Sequence, residues 1–232
     1  MRWVLFFLAM TSAIQACEGV VLLHGLARTN QSMQKMAATL SAAGYVVANI
    51  DYPSRTMAIG PLSDSVVGSA LADPRLKDCA KIHFVTHSLG GILVRSYFSK
   101  HTDPRLGRVV MLGPPNRGSE VVDALKSWQL FQRINGHAGS ELGTDGKSVP
   151  NTLGPVGFEL GVIAGDRSIN WINSLMIAGP DDGKVSVERT KVEGMKEHLV
   201  VHVSHPFLMK DRDVIVAALR FIQSGSFASD KK

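Results

Sequence analysis

Short apolar runs alternate with segments of helical periodicity along most of the chain. The apolar runs are bounded by glycine or polar residues, as buried strands usually are. We predict six strands from these runs, at Val20–Leu23, Tyr45–Ile50, Lys81–Thr86, Arg108–Leu112, Phe158–Ala164 and His198–Val203. The segments between and after them predict helices at Gln31–Ala43, Ser63–Leu71, Ser88–Lys100 and Asp211–Ile222. Such alternation is typical of an α/β fold in which helices cover both faces of a mostly parallel sheet.

The alternation stops between Asn116 and Pro155, where glycines stand among polar residues. Connections of this length without secondary structure are uncommon in compact domains. We therefore expect this stretch to be functional or partly mobile.

The N-terminal residues have a pattern of their own. Arg2 precedes an uncharged stretch from Trp3 to Ala16 that ends on a small residue, which is typical of a secretory signal peptide. The stretch is shorter than the roughly 20 residues that a spanning helix needs. We predict a signal peptide at residues 1–16, export to the periplasm or the medium, and a single domain at residues 17–232. A buried N-terminal element of the domain is the alternative.

Composition narrows the function classes. Hydrophobic residues make up 45% and charged residues 19% of the chain, which allows a packed core. The formal net charge is +5 and the basic residues are scattered, so nucleic-acid binding is not expected. The two cysteines are too few for a four-cysteine zinc site, but they are sufficient for one disulfide.

The strongest chemical signal is the segment Thr86-His87-Ser88-Leu89-Gly90-Gly91, between a predicted strand and a predicted helix. In this context small-x-Ser-x-Gly is the pattern of a nucleophile elbow, which raises the serine hydroxyl above the sheet at a helix N-terminus. Neighbours two positions from the serine must be small, and Thr86 stands where glycine is usual. We take Ser88 as the candidate nucleophile; a serine that merely caps a helix is the alternative.

The second signal is His24-Gly25-Leu26, directly after the first predicted strand. A loop at this position can direct a backbone N–H toward the oxyanion formed during acyl transfer, and Gly25 allows the backbone to approach closely. The two donors would be the amides of Leu26 and Leu89, the latter directly after the candidate nucleophile. We expect His24 to close the loop through hydrogen bonds.

A serine nucleophile needs a general base, and in this architecture the base follows the acid along the chain. His198 and His202 lie within the last predicted strand. His205 lies just beyond that strand, at the sheet edge where open α/β folds place their sites. We therefore take His205 as the candidate base.

The candidate acid is Asp182, which precedes Gly183 in a loop before an apolar alternation. An Asp-Asp-Gly segment by itself is a common turn, and the position between Ser88 and His205 is what favours a catalytic role. Asp166 and Asp181 remain open as alternatives.

Together these segments resemble lipase-like serine esterases of the α/β-hydrolase superfamily, especially small bacterial lipases with a reduced sheet. The matching segments span most of the chain in the family's order: Val21–Leu26, His83–Gly91, Gly113–Ser119, Asp181–Val185 and Val203–His205. The resemblance implies an α/β-hydrolase fold of about six mostly parallel strands, with helices on both faces and a small cap or none. Residues 119–156 would supply a short lid or insertion.

The resemblance also implies an activity. Ser88, Asp182 and His205 would form a triad that cleaves carboxylic (acyl or lipid) esters through an acyl-enzyme, with no metal and no cofactor. The partner would be an acyl ester or lipid substrate, with possible transient contact to a lipid surface, and the protein would be a monomer. An acyltransferase, a thioesterase and a non-catalytic binding protein on the same scaffold are the alternatives.

Finally, the resemblance pairs the two cysteines. In this fold the strands that follow Cys17 and Cys79 are adjacent and parallel, so both residues would lie at the N-terminal edge of the sheet. We predict a Cys17–Cys79 disulfide, which is consistent with export. A lipid-modified Cys17 with a free Cys79 is the competing interpretation.

Overall fold

The centre of the fold is a six-stranded sheet. The computed structural model describes residues 17–125 and 128–229 of the chain. Its strands are β1 (Glu18–Leu23), β2 (Val46–Ile50), β3 (Lys81–His87), β4 (Leu106–Leu112), β5 (Leu160–Gly165) and β6 (Glu197–Val201). They are arranged in the order β2-β1-β3-β4-β5-β6, and every neighbouring pair is parallel. The predicted fold class, an α/β-hydrolase sheet of six parallel strands, is confirmed.

Eight α-helices connect or follow the strands in the described part of the chain. They are α1 (Gln34–Ala42), α2 (Ile59–Leu71), α3 (Leu89–Phe98), α4 (Glu120–Leu125), α5 (Gln129–Ser140), α6 (Val149–Thr152), α7 (Trp171–Ser174) and α8 (Arg212–Ser224). Among the described residues, no helix is long and apolar enough to cross a membrane. The predicted signal peptide, residues 1–16, lies outside the described residues.

Alternating side chains of the strands form two separate cores, one on each face of the sheet. Val21 and Leu23 of β1 pack with α2 and α3, whereas Val20 and Leu22 pack with α1 and α8. This follows from the two-residue period of a strand, which sends successive side chains to opposite faces. Burial on both faces explains why the strands appear in the sequence as nearly continuous apolar runs.

The stretch without sequence periodicity contains three helices, α4, α5 and α6. The buried guanidinium of Arg95, on α3, holds this insertion by donating to the carbonyl oxygens of Asn116 (2.9 Å), Pro150 (3.2 Å) and Gly154 (2.8 Å). Desolvation lowers the pKa of Arg95 to about 10. These hydrogen bonds join residues that are far apart in sequence. The periodicity of apolar residues reports only local structure, so it could not predict these bonds.

The two cysteines lie at the opposite edge of the sheet from Ser88. Cys17 precedes β1 and Cys79 precedes β3, and the two strands pair in register from Glu18 and Lys81. The cysteines form a disulfide that closes a sequence separation of 62 residues. The cross-link therefore joins neighbouring strands at their N-terminal ends, and Cys17 has no thiol left for a lipid.

Removal of this disulfide is expected to destabilise the domain without altering the site. In the double variant Cys17→Ser/Cys79→Ser the free energy of unfolding should fall by about 4 kcal/mol, because the unfolded chain gains loop entropy. Urea denaturation of the variant measures this loss, and wild-type protein kept in reductant is the matched control. Equal stability of the variant and the oxidised protein would contradict the prediction.

Candidate active site

Ser88 occupies a strained turn between β3 and α3. Its φ of 53° and ψ of −118° lie in a region that non-glycine residues rarely adopt. The Ser88 amide donates to the carbonyl oxygen of Leu112 on β4 (2.9 Å), which holds the turn against the sheet. Backbone strain of this kind persists where the surrounding structure enforces it, and it is frequent at functional sites.

Close packing around the turn explains its small residues. A Cβ atom at Gly90 would lie 2.8 Å from the Leu23 carbonyl oxygen, so no larger residue fits there. Thr86, which stands where glycine is usual, is fully buried. A Cβ atom at Gly91 would lie 3.3 Å from Thr86 Oγ1 and 3.0 Å from the sulfur of Met111. Gly91 thus leaves the room that the threonine needs.

Asp182 and His205 form a buried pair. His205 Nδ1–H donates to Asp182 Oδ2 at 2.7 Å, and the His205 amide donates to the Asp182 carbonyl oxygen at 2.9 Å. The second carboxylate oxygen accepts from the amides of Lys184 (3.0 Å) and Val185 (2.9 Å). These bonds fix the orientation of the carboxylate, and the bond at Nδ1 uses that nitrogen of His205 and not Nε2.

The two alternative acids have other partners. Asp166 Oδ1 lies 2.9 Å from Nδ1 of His202, a histidine whose side chain is exposed. Asp181 accepts from the Gly183 amide (2.7 Å) and the Ser174 hydroxyl (2.9 Å). The hydrogen bond to His205 is thus made by Asp182.

The loop after β1 is held by residues that follow β2. The ring of His24 stacks on Tyr52, with 4.0 Å between centroids, and its Nε2 accepts from the Tyr52 amide at 3.3 Å. The Tyr52 hydroxyl donates to the His24 carbonyl oxygen (2.5 Å), and the Ser54 hydroxyl accepts from the Ala27 amide (3.0 Å). Ala27 itself has a φ of 54°. His24 thus closes the loop through hydrogen bonds, and its pKa is lowered mainly by burial.

Leu26 and Leu89, the predicted oxyanion donors, both lie near Ser88. Leu89 directly follows Ser88 and is the first residue of α3, and Leu26 lines the same cavity as Ser88. Within the described part of the chain, neither amide donates to another backbone group. Backbone amides without a backbone acceptor are the kind of donor that an oxyanion hole uses, so the prediction for these two residues stands.

His87 supports the position of the candidate base. Its Nε2–H donates to the His205 carbonyl oxygen at 3.0 Å, and the two rings lie 4.7 Å apart. Burial, reinforced by the charges of His205 and Arg28, lowers the pKa of His87 well below its ordinary value, so its ring is neutral. Gly25 packs against this ring, because a Cβ atom there would lie 2.6 Å from His87 Nδ1.

Ser88 and His205 share one cavity of about 350 Å³. Much of its wall is apolar and includes Leu26, Val121, Val122, Leu142 and Val185. Pro115 and Ser119 also line it, which places the Gly113–Ser119 segment and the insertion beside the candidate nucleophile. Among the described residues, no group of three or more His, Cys, Asp or Glu side chains could hold a metal ion.

The parallel sheet and the serine turn between β3 and α3 are those of the α/β-hydrolase fold. Residues 19–146, more than half of the chain, match the family model of palmitoyl protein thioesterases. The chain belongs to this family. A comparison with curated proteins gives no match.

Solved structures share the fold at low sequence identity. Mature lipase BlEst2 from Bacillus licheniformis is 20% identical with a TM-score of 0.62, over 82% of this chain and 87% of that one. Phospholipase PlaB from Legionella pneumophila is 17% identical with a TM-score of 0.71, over 91% of this chain and 60% of that one. An extracellular α/β-hydrolase from a Paenibacillus species is 14% identical with a TM-score of 0.58, over 88% and 98%.

Several residues around the site were not found from the sequence. Tyr52 and Ser54 hold the loop after β1, and Arg28 and Lys184 line the cavity. Tyr52 lies two residues after the end of β2, so a polar residue near the C-terminal end of a neighbouring strand was the available signal. Nothing in the sequence indicates that Arg28 and Lys184 line the cavity, except that each lies two residues from a predicted site residue, Leu26 or Asp182.

Proposed function

We propose that the chain is a serine acyl hydrolase that cleaves carboxylic esters, with Ser88 as nucleophile, His205 as general base and Asp182 as orienting acid. The observation that carries this proposal is the 2.7 Å hydrogen bond from His205 to buried Asp182, at a cavity that His205 shares with strained Ser88. Nucleophile, base and orienting carboxylate are the three parts that such chemistry needs.

In the proposed reaction, His205 Nε2 removes the proton of Ser88 as its Oγ attacks the ester carbonyl carbon. The amides of Leu26 and Leu89 donate to the resulting oxyanion, and the carboxylate of Asp182 stabilises the imidazolium. The imidazolium then gives its proton to the leaving alcohol, which departs as the acyl-enzyme forms. A water molecule, deprotonated by the same imidazole, attacks the acyl carbonyl carbon; the bond to Ser88 Oγ then breaks, the imidazolium returns the proton to Oγ, and the acid is released.

Thioester hydrolysis is the second candidate function, and the family match favours it. Both reactions pass through the same acyl-enzyme and differ in the leaving group. Acyl transfer to an alcohol would differ in the second step. The apolar wall of the cavity supports an acyl chain as the bound group, and a lipid is thus the proposed substrate class.

Export of the protein is part of the proposal. The Cys17–Cys79 disulfide supports an oxidising compartment, and the Paenibacillus neighbour is described as extracellular. We propose that residues 1–16 are a signal peptide, that residues 17–232 are the exported domain, and that it acts as a monomer. Mass spectrometry of the N-terminus of protein recovered from the periplasm or medium tests the cleavage after Ala16.

A fluorophosphonate probe is expected to label Ser88 in folded wild-type protein. The reagent phosphonylates serines whose hydroxyl is activated by a base, so heat-denatured protein is the matched negative control. Peptide mass spectrometry locates the label. Labelling at another serine, or equal labelling of the denatured chain, would contradict the proposal.

A second experiment distinguishes the candidate reactions. Comparing the turnover of p-nitrophenyl butyrate with that of its p-nitrothiophenyl analogue separates ester preference from thioester preference. Analysis of the products with added alcohol detects acyl transfer.

A further inference from the structure

Two cationic side chains line the cavity that contains Ser88. Arg28 lies two residues after Leu26, and Lys184 lies two residues after Asp182. Both therefore come from the loops that place the proposed oxyanion donor and the proposed acid. The proposed ester chemistry uses neither side chain, because the base is His205 and the oxyanion donors are backbone amides.

Neither cation has an ion-pair partner within the described residues, whereas other cations of the chain do. Arg105 pairs with Asp103 at 2.8 Å and Arg189 pairs with Glu120 at 2.6 Å. The carboxylate nearest in sequence to Lys184 is that of Asp182, which is fully buried and already accepts three hydrogen bonds. The described wall of the cavity therefore carries two positive charges, neither of which forms a salt bridge.

The electrostatics of Lys184 show that the two charges interact. Its pKa is lowered, first because the surrounding protein desolvates the ammonium, although part of the side chain is exposed. Asp182 opposes this change, and the positive charge of Arg28 adds to it. A bound anion would offset the repulsion between the two cations, so the site is better suited to an anionic ligand group than to a neutral one.

We propose that the substrate carries a phosphate group on the alcohol side of its acyl ester, and that Arg28 and Lys184 bind this phosphate. Arginine and lysine are the side chains that most often recognise phosphate, and two cations match its two negative charges. The apolar wall, which includes Val121, Val122 and Leu142, is then left for the acyl chain. This substrate class rests on the proposed function.

A pair of soluble substrates tests the proposal. Hexanoyl glycerol and hexanoyl glycerol 3-phosphate have the same acyl chain and ester, and both are short enough to avoid aggregates that could bind the protein surface. We expect wild-type protein to have at least about tenfold higher kcat/KM for the phosphate, mainly through a lower KM, as a charge-assisted contact contributes that much. Added NaCl should reduce this ratio, because it screens the charges.

Charge-removing variants locate the effect. In Arg28→Gln and Lys184→Gln the ratio of the two kcat/KM values should fall several-fold, and in the double variant it should approach one. Lys35→Gln removes the same charge from the exposed face of α1 and should keep the wild-type ratio. Inorganic phosphate should inhibit wild-type protein more strongly than the double variant, which separates recognition of the phosphate group from recognition of the glycerol.

The outcomes separate this inference from the proposed function. Equal turnover of both substrates by wild-type protein would overturn the phosphate proposal and leave the acyl hydrolase intact. A preference for phosphate that survives in the double variant would also overturn it. Absence of turnover of both substrates, together with absence of fluorophosphonate labelling at Ser88, would instead overturn the proposed function.

Discussion

The variant Ser88→Ala is expected to lower kcat for p-nitrophenyl butyrate by about 10⁶-fold. Loss of the nucleophile removes the whole covalent route, and residual turnover then depends on the oxyanion donors and on binding alone. The expected loss is this large because Ser88 and His205 would act as one unit. Without the serine hydroxyl, His205 has no nucleophile to deprotonate and contributes no rate enhancement of its own. Steady-state kinetics with active-site concentration determined by fluorophosphonate titration of the wild type measures the effect.

A folding control is needed because Ser88 has a positive φ, which alanine also tolerates poorly. Circular dichroism and thermal unfolding of the variant should therefore match the wild type within a few degrees. Ser41→Ala, on the exposed side of α1, is the matched serine control and should keep full turnover. Turnover of well-folded Ser88→Ala within tenfold of the wild type would refute the assignment of the nucleophile.

The variant Asp182→Asn is expected to lower kcat by about 10⁴-fold while leaving the fold intact. The carboxylate accepts the Nδ1–H of His205 at 2.7 Å, and in the proposed mechanism this bond selects the tautomer in which Nε2 can take the serine proton. An amide at this position can present a donor to Nδ1, which favours the wrong tautomer. It also removes the charge that would stabilise the imidazolium.

Asp166→Asn is the matched control for this loss. Asp166 also contacts a histidine at 2.9 Å, but that histidine is the exposed His202, so the variant should keep kcat within about twofold. Asp181→Asn should act through the loop, since its carboxylate accepts from the Gly183 amide, and its effect should be much smaller than that of Asp182→Asn. A larger loss in Asp166→Asn than in Asp182→Asn would overturn the proposed acid.

The strands and the serine turn were accessible from the sequence because they depend on local order. β1 and β3 are continuous apolar runs, and the Ser88 turn is followed by glycines that short-range crowding requires. The insertion was not accessible in the same way. Its helices are separated by glycines and polar residues, and buried Arg95 holds it through bonds to the carbonyl oxygens of Asn116, Pro150 and Gly154, which are distant in sequence.

The sequence also could not decide which of the three candidate aspartates is the acid. In sequence, Asp166, Asp181 and Asp182 all fall between Ser88 and His205; Asp166 follows a strand, and the other two lie in one loop. Their difference is one of direction: the carboxylate of Asp182 points to His205, that of Asp181 turns back to its own loop, and that of Asp166 faces His202. Side-chain direction in a loop depends on contacts made after the strands assemble.

The sequence by itself determined the parallel α/β sheet, the strained position of Ser88 and the chain order of the candidate residues, because these follow from periodicity and local crowding. Tertiary structure alone decided which carboxylate meets His205, how Tyr52 and Ser54 hold the loop after β1, and that Arg28 and Lys184 line the cavity beside the serine. Each of these depends on distances between separate loops at one sheet edge, and such distances are set by strand order and by the packing of both cores.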